Sequence, residues 1–168
     1  MNKVHLGIDP GQTGCLVSIL EKDDGSKEIK FFDPLLLDVK QGPKIKHEYD
    51  EAAMVAALRD FISQGQVVSC ILEKVSAMPG QGVTSMFNFG MGYGIWRGIL
   101  SALQVPYSLV HPLSWKKIVM RDMPKEKDAA RMRAMQLYPT VADKLSRKRD
   151  IGRADALLLA HYGTLTQF

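Results

Sequence analysis

The chain has 168 residues, of which 46% are apolar and 24% are charged, and these values exclude a disordered or low-complexity protein. Two cysteines, Cys15 and Cys70, cannot build a disulfide framework or a four-ligand zinc site, and their apolar surroundings predict buried, reduced thiols. The length predicts a single domain over residues 1–168.

The net charge of +4 conceals an asymmetry along the chain. Residues 1–110 contain 10 Lys/Arg against 12 Asp/Glu, whereas residues 111–168 contain 12 against 6. A basic half favours a polyanion partner such as nucleic acid, although charge alone is explained equally well by a solubilising surface. The N-terminus lacks the apolar segment of a secretory signal, and Arg97 and several glycines interrupt the longest apolar stretch, so no membrane span is expected.

The residue pattern predicts three strands, followed by helices that alternate with two more strands. The first two strands, Val4–Asp9 and Gly14–Leu20, flank a glycine-containing turn and predict a hairpin. The remaining predictions are a strand at Ile29–Phe32, an exposed loop at 34–49, a helix from Asp50 (its N-cap) to Ile62, a strand at Val67–Glu73, a helix at Met86–Gln104, a strand at Val105–His111, and helices at Pro124–Leu137 and Gly152–Leu165. This order predicts an α/β fold with a five-stranded mixed sheet, three antiparallel N-terminal strands plus two parallel ones, flanked by helices.

Two of the predicted strands end in a carboxylate. Asp9 and Glu73 each follow an apolar run, at the carboxyl end of a strand where sheet proteins build their sites. Taken alone, each acid is better explained as a turn cap or as the partner of a surface lysine. Their equivalent placement on two strands favours convergence at one point.

Two further acids lie near the start of the last predicted helix. Asp155 is the acid on an otherwise apolar helix face, and Asp150 lies five residues earlier. A favourable interaction with the helix dipole is a sufficient reason for Asp155. If these acids meet Asp9 and Glu73, the carboxylates repel one another unless cations neutralise them. Oxygen ligands favour Mg²⁺ or Mn²⁺, and two such ions about 4 Å apart suit in-line displacement at a phosphodiester.

Three segments carry these acids: Gly7-Ile8-Asp9-Pro10-Gly11-Gln12-Thr13-Gly14, Leu72-Glu73-Lys74-Val75 and Arg153-Ala154-Asp155-Ala156-Leu157-Leu158. In this order, over nearly the whole chain, they resemble the signature segments of RuvC-type Holliday junction resolvases, members of the RNase H/retroviral-integrase superfamily. The first segment alone also resembles actin-like kinases and ATPases, but 168 residues leave no room for their second lobe.

The resemblance implies an RNase H-like fold, a homodimer, and cleavage of four-way junction DNA with two Mg²⁺ ions per active site, for which Mn²⁺ substitutes. It implies that Asp9 bridges both ions, that Glu73 and Asp155 hold one ion each, and that Asp150 is the accessory fourth ligand. In the bacterial resolvases the last two acids are three residues apart, a spacing that would place a ligand at Gly152.

The five-residue spacing is more similar to the phage and organellar branch, as are the stretches Met78–Gly82 and Phe87–Gly90. A cytoplasmic location in a bacterial or phage-infected cell is therefore expected. Bacterial resolvases insert an aromatic wedge into the junction three residues after the glutamate, and that position is Ser76 in this chain. The wedge candidates are Met78, Phe87 and Phe89, for which core packing is the commoner role.

Glycine recurs every four residues along the predicted second helix, at Gly90, Gly94 and Gly98. Each costs about 1 kcal/mol relative to alanine in a helix interior, so the stripe indicates close approach by another backbone. The favoured interpretation is helix packing within the chain or across a dimer, and the alternative is approach by DNA.

All 12 basic residues of the second half lie between Lys116 and Arg153, next to the predicted metal site. Clustered Lys and Arg are typical of phosphate binding without a sequence code, and a solvated helix face is the alternative. The DNA-binding candidates are Lys116, Lys117, Lys125, Lys127, Arg131, Arg147, Lys148, Arg149 and Arg153.

These observations together predict a structure-selective endonuclease that resolves Holliday junctions and leaves 5′-phosphate and 3′-hydroxyl ends. One alternative is another RNase H-fold nuclease that acts on flaps or RNA–DNA hybrids. The other is a junction-binding module without catalytic activity.

Overall fold

A mixed β-sheet forms the centre of the computed structural model, which describes residues 1–166; the last two positions of the predicted domain lie outside the described residues. The strands are β1 (Lys3–Asp9), β2 (Cys15–Glu21), β3 (Lys27–Phe32), β4 (Leu36–Gln41), β5 (Lys44–Tyr49), β6 (Gln66–Glu73) and β7 (Ser108–Val110). Five of them form one sheet in the order β3-β2-β1-β6-β7, and β4 pairs with β5 separately. The three N-terminal strands are antiparallel, whereas β6 is parallel to both β1 and β7, so the predicted sheet is confirmed.

Helices cover both faces of this sheet. They are α1 (Glu51–Ile62), α2 (Val83–Ala102), α3 (Pro112–Val119), α4 (Ala129–Leu137) and α5 (Ile151–Leu165), with short 3-10 helices at Pro139–Leu145 and Lys148–Asp150. The predicted N-cap is confirmed, because the Asp50 carboxylate accepts a hydrogen bond of 3.0 Å from the Ala53 amide. Side chains of α1 and α2 share one core with the sheet, and side chains of α3, α4 and α5 share the other.

Alternation along the strands decides which core each side chain enters. Ile8 of β1 belongs to the core beneath α1 and α2. Gly7 faces the opposite side, where a Cβ atom would lie 2.1 Å from the carbonyl oxygen of Ala156 in α5. Asp9 has the parity of Gly7, and Glu73 has the parity of Ile71, which lies in the α5 core. Both strand-end acids therefore point to the face that α5 covers.

The prediction of an exposed loop over residues 34–49 is wrong. This segment forms the β4–β5 hairpin, in which Leu36 pairs with Tyr49 and Gln41 pairs with Lys44. Gly42 adopts a φ of 60° in the two-residue turn, a conformation that favours glycine. The sequence pattern does not predict this hairpin, because the segment is rich in lysine and most of its side chains meet solvent rather than a core.

Several other elements differ from the predictions, and α2 begins and ends two to three residues earlier than the predicted helix Met86–Gln104. The strand predicted over Val105–His111 is limited to β7, because the Val105 amide instead donates to the Leu100 carbonyl at the end of α2, and Pro106 has no amide hydrogen. The helix α3 was not predicted from the sequence, although Pro112 at its first position is a recognised start signal. The next predicted helix is shorter than expected and begins at Ala129 instead of Pro124.

Cys15 and Cys70 are free and buried, which confirms the predicted reduced thiols. Within residues 1–166, every helix is too short or too polar to cross a membrane.

The glycines of α2 separate into two groups. Gly92 is buried against Tyr49, whose hydroxyl oxygen would lie 2.4 Å from a Cβ atom at this position. Gly90, Gly94 and Gly98 are exposed, and among the described residues no atom would lie within 4 Å of a Cβ atom at any of them. Packing within the chain therefore explains Gly92, whereas Gly90, Gly94 and Gly98 face solvent.

Candidate active site

Three acids from different elements meet at one edge of the sheet. In the parallel pairing of β1 with β6, Ile8 aligns with Leu72, so Asp9 and Glu73 follow at the same level. Asp155 lies just after the first turn of α5, which packs directly on β1 because Gly7 admits its backbone. The sheet register and this close helix contact bring Asp9, Glu73 and Asp155 together.

Burial and mutual repulsion determine the electrostatics of these acids. Burial raises the pKa of Asp9 well above its usual value, and the negative charges of Asp155 and Glu73 raise it further. Burial raises the pKa of Asp155 to about 6, where the ammonium of Lys116 opposes the shift and Glu73 adds to it. Lys116 also opposes the shift at Asp9. The site is thus a cluster of coupled negative charges with one nearby cation.

Glu73 is held by a residue that the sequence analysis did not single out. The indole Nε1–H of Trp115 donates a hydrogen bond of 2.7 Å to Glu73 Oε2. Trp115 is fully buried in the core beneath α5, so its nitrogen has a fixed position. The available sequence signal is the start of α3 at Pro112, which places Trp115 in the first turns of a helix after β7.

The donor set fits a hard divalent cation. All three side chains offer carboxylate oxygens, and Asp155 Oδ1 is buried without a hydrogen-bond partner in the described chain. Among residues 1–166, no three His, Cys, Asp or Glu side chains are already grouped closely enough to ligate one ion. Asp9, Glu73 and Asp155 are nevertheless the residues that would hold a metal ion.

The turn after β1 packs closely against the backbone of Asp9. Gly14 has no room for a side chain, because a Cβ atom there would lie 1.9 Å from the Asp9 carbonyl oxygen. Gly11 adopts a φ of 132°, which favours glycine, and Phe89 of α2 packs against it. Asp9, this turn and Phe89 line an open cleft of about 370 Å³. Tyr49 also lies near, since Asp9 contributes to the raised pKa of its phenol.

Asp150 is paired with an arginine three residues before it. Its carboxylate accepts hydrogen bonds from the Arg147 amide at 2.9 Å and from the Arg147 guanidinium at 2.9–3.2 Å. These bonds lower the pKa of Asp150. The neighbouring position Gly152 has no room for an acid, because a Cβ atom would lie 2.0 Å from the Thr13 carbonyl oxygen. The structure joins Asp150 to Arg147, and its role as a ligand stays a prediction.

The basic candidates fall into two groups. Three of them have structural partners: Arg131 is buried and donates to Asp128 and the Leu145 carbonyl, Arg147 binds Asp150, and Arg153 binds Asp33. The others are exposed, namely Lys116, Lys117, Lys125, Lys127, Lys148 and Arg149. Of these, Lys116, Lys125 and Lys127 line a groove of about 530 Å³ that also contains Asp155.

The wedge candidates occupy different surroundings. Met78 is 64% exposed in the loop before α2, and Phe87 is 63% exposed in the first turns of that helix. Phe89 is partly buried against Gly11 and lines the cleft that contains Asp9.

The architecture matches a solved structure over nearly its whole length. RuvC of T. thermophilus in complex with a Holliday junction substrate aligns with a TM-score of 0.56 and 14% identity, covering 96% of this chain and 92% of that one. This chain has the fold of RuvC. A second RuvC structure, from Thermus thermophilus, aligns with a TM-score of 0.51 and 14% identity, covering 99% and 98% of the two chains.

The RuvC fold is the RNase H-like fold that the sequence predicted, and its alignment over this chain confirms the expected resemblance at the level of architecture. No protein-family model matches the chain. No curated protein matches it significantly in sequence. The phage or organellar branch stays a prediction.

The coupled acids also predict how stability depends on pH. Since the folded pKa of Asp155 lies near 6, above its unfolded value, the folded state binds more protons and loses stability as pH rises from about 4 through 6. In EDTA, Asp155→Asn should therefore stabilise the protein by about 1–3 kcal/mol at pH 7.5 and change little at pH 4. Thermal unfolding of wild type and Asp155→Asn across this pH range measures the difference in their stability. Groups that both proteins share, such as the histidines, cancel in this difference. An equal effect at both pH values would contradict the charge coupling.

Proposed function

We propose that this protein is a metal-dependent endonuclease that resolves four-way DNA junctions. The observation that carries the proposal is the convergence of Asp9, Glu73 and Asp155 at one sheet edge of a RuvC fold. Carboxylates from two adjacent parallel strands and a crossing helix supply oxygen ligands and leave one side open for a phosphodiester. The choice of substrate is supported by the RuvC structure of the same fold, which is a complex with a Holliday junction substrate.

In this proposal, the acids of the site hold the metal ions and Lys116 lies beside them where the DNA phosphate enters. As the sequence resemblance implies, Asp9 would be shared by two divalent ions, with Glu73 and Asp155 holding one each. Mg²⁺ or Mn²⁺ held by these acids would polarise the scissile phosphate and lower the pKa of the attacking water. Lys116 places a cation beside the acids, where it lowers the charge that an incoming phosphate meets. Hydrolysis is proposed to leave 5′-phosphate and 3′-hydroxyl ends.

The DNA approaches, in this proposal, along the groove that ends at Asp155. Its rim carries Lys116, Lys125 and Lys127, while Met120 and Met123 contribute apolar surface. Exposed lysines bind phosphates without reading the base sequence, as a structure-selective enzyme requires. A junction also has two equivalent strands to cut, and we therefore propose a homodimer that acts in the cytoplasm of a bacterial or phage-infected cell.

Replacing Lys125 and Lys127 with alanine should weaken junction binding and reduce the slope of log K against log salt by about 2. Each lysine lost removes about one phosphate contact and the counterions that it releases. Titrations at several salt concentrations measure the slope. Lys22→Ala is the matched control, because Lys22 lies at the opposite end of the sheet, just after β2, and it should leave the slope unchanged. An unchanged slope in the double variant would place the DNA elsewhere.

The cleavage test compares branched and unbranched substrates with the wild-type protein. A labelled four-way junction, a flap, an RNA–DNA hybrid and a linear duplex are incubated with Mg²⁺ or Mn²⁺ at saturating protein. Symmetrical cuts near the branch point of the junction, with little cutting of the other substrates, are expected. Preferential cutting of the hybrid or flap would favour another RNase H-fold nuclease. Tight junction binding with no cleavage in either metal would favour a binding module.

A further inference from the structure

The hydrogen bond between Trp115 and Glu73 connects the core that α5 shares with the sheet edge where Asp9, Glu73 and Asp155 lie. Trp115 has no exposed surface and belongs to the core that α3, α4 and α5 share. A buried indole N–H requires an acceptor, and here the acceptor is Glu73 Oε2 at 2.7 Å. A charged acceptor strengthens such a bond, and the packed ring cannot follow the carboxylate if it moves. The bond therefore fixes Glu73 from the interior of the protein.

The residue that follows Trp115 extends the same contact. The Lys116 ammonium lies 5.3 Å from the centre of the Trp115 ring, within the range of a cation–π interaction. The same ammonium acts on the charges of Asp9 and Asp155. Two consecutive residues of α3 therefore serve the three acids. Trp115 contributes a rigid hydrogen-bond donor to Glu73, and Lys116 contributes a cation near Asp9 and Asp155.

We propose that Trp115 is the positioning residue of Glu73. Its N–H holds Oε2 and would leave Oε1 free to ligate a divalent cation. This inference rests on the proposed metal-dependent function, since it assigns a role to a residue of that site. Groups that orient metal ligands from behind typically change metal affinity by about 10–100-fold when they are removed. We expect a loss of about this size when the indole N–H is replaced.

The chain supplies a matched control for this substitution. It contains two tryptophans, and Trp96 is also fully buried, in the opposite core beneath α1 and α2. Within the described residues, Trp96 Nε1 has no hydrogen-bond partner. The substitutions Trp115→Phe and Trp96→Phe therefore remove the same atoms from a core, but only the first removes a bond to a metal ligand.

The first measurement is the Mg²⁺ and Mn²⁺ affinity of both variants by calorimetry, without DNA. Trp115→Phe should bind each metal about 10–100-fold more weakly than wild type, whereas Trp96→Phe should bind within about twofold. Equal affinities in the two variants would overturn the inference.

The second measurement uses fluorescence and does not depend on whether Trp115→Phe folds. In Trp96→Phe protein, Trp115 is the one remaining indole, and its emission should change saturably as Mg²⁺ is added. Adding Glu73→Gln keeps an acceptor for the indole but removes the charge that binds metal, and should abolish the response. Metal binding by calorimetry with no change in Trp115 emission would overturn the inference.

Failure of the inference is distinguishable from failure of the proposed function. If the wild-type protein cuts no branched DNA while Trp115 emission follows Mg²⁺ through Glu73, the endonuclease proposal fails and the positioning role stands. If the protein cuts junctions and Trp115→Phe matches Trp96→Phe in metal affinity, the positioning role fails alone. A wild-type protein that binds neither Mg²⁺ nor Mn²⁺ overturns both.

Discussion

Asp9→Asn should reduce the rate of junction cleavage by at least about 10³-fold, the scale expected when a central member of a catalytic group is removed. Both Asp155 and Glu73 act on the charge of Asp9, and in the proposed function Asp9 is the acid that two ions share. The substitution preserves size and removes one buried charge. In EDTA near neutral pH it should leave the fold intact and raise the melting temperature, because the pKa of Asp9 is raised in the folded state.

Single-turnover cleavage of a labelled junction at saturating protein and Mg²⁺ measures this effect separately from binding. Asp60→Asn is the matched control, because it also removes one negative charge, and Asp60 lies exposed on α1, outside the cluster. The control should cut at the wild-type rate, and both variants should bind the junction. An Asp9→Asn protein whose cleavage rate is within tenfold of wild type would contradict the assignment of Asp9 to the active site.

Gly7→Ala should destabilise the protein by at least about 3 kcal/mol, equivalent to a fall in melting temperature of roughly 10 °C. A Cβ atom at this position would lie 2.1 Å from the Ala156 carbonyl oxygen and 2.3 Å from the Ala160 amide nitrogen. Both are backbone atoms of a packed helix, so α5 must shift away from β1. Because α5 carries Asp155, cleavage by the folded fraction should fall as well.

Gly98→Ala is the matched control for this substitution. Gly98 is exposed on α2, and among the described residues no atom lies within 4 Å of the position that an alanine methyl would take. Alanine should therefore stabilise the helix by up to about 1 kcal/mol. Thermal unfolding and single-turnover cleavage are measured for both variants. A Gly7→Ala protein as stable as wild type would mean that α5 does not depend on this close contact for its position.

The two glycines illustrate how far sequence alone reaches. The four-residue spacing of Gly90, Gly94 and Gly98 predicts a small-residue face, but the structure shows that these positions meet solvent in this chain. Gly7 has no periodic partner, and its importance follows from the approach of Ala156 and Ala160, which are about 150 residues away along the chain. Spacing reports a pattern along one helix, whereas packing between elements requires their arrangement in space.

The basic residues give a second example. Their clustering between Lys116 and Arg153 is a property of the sequence, and it predicts a positive surface. The structure divides them, because Arg131, Arg147 and Arg153 are bound to carboxylates and carbonyls of the fold, while Lys116, Lys125 and Lys127 line a groove. The number of charges follows from the sequence, whereas the partner of each charge, whether three residues away or far along the chain, is seen only in the folded structure.

The strand-end positions of Asp9 and Glu73 are predictable from the sequence alone, because apolar strands and turn residues follow local rules of periodicity and backbone geometry. The same rules, together with the resemblance of three segments, predicted the five-stranded sheet and its α5 helix. The approach of Asp155 to these acids and the hydrogen bond from Trp115 to Glu73 are visible only in the tertiary structure. Those contacts depend on distances between elements far apart in the chain, which no local pattern of residues contains.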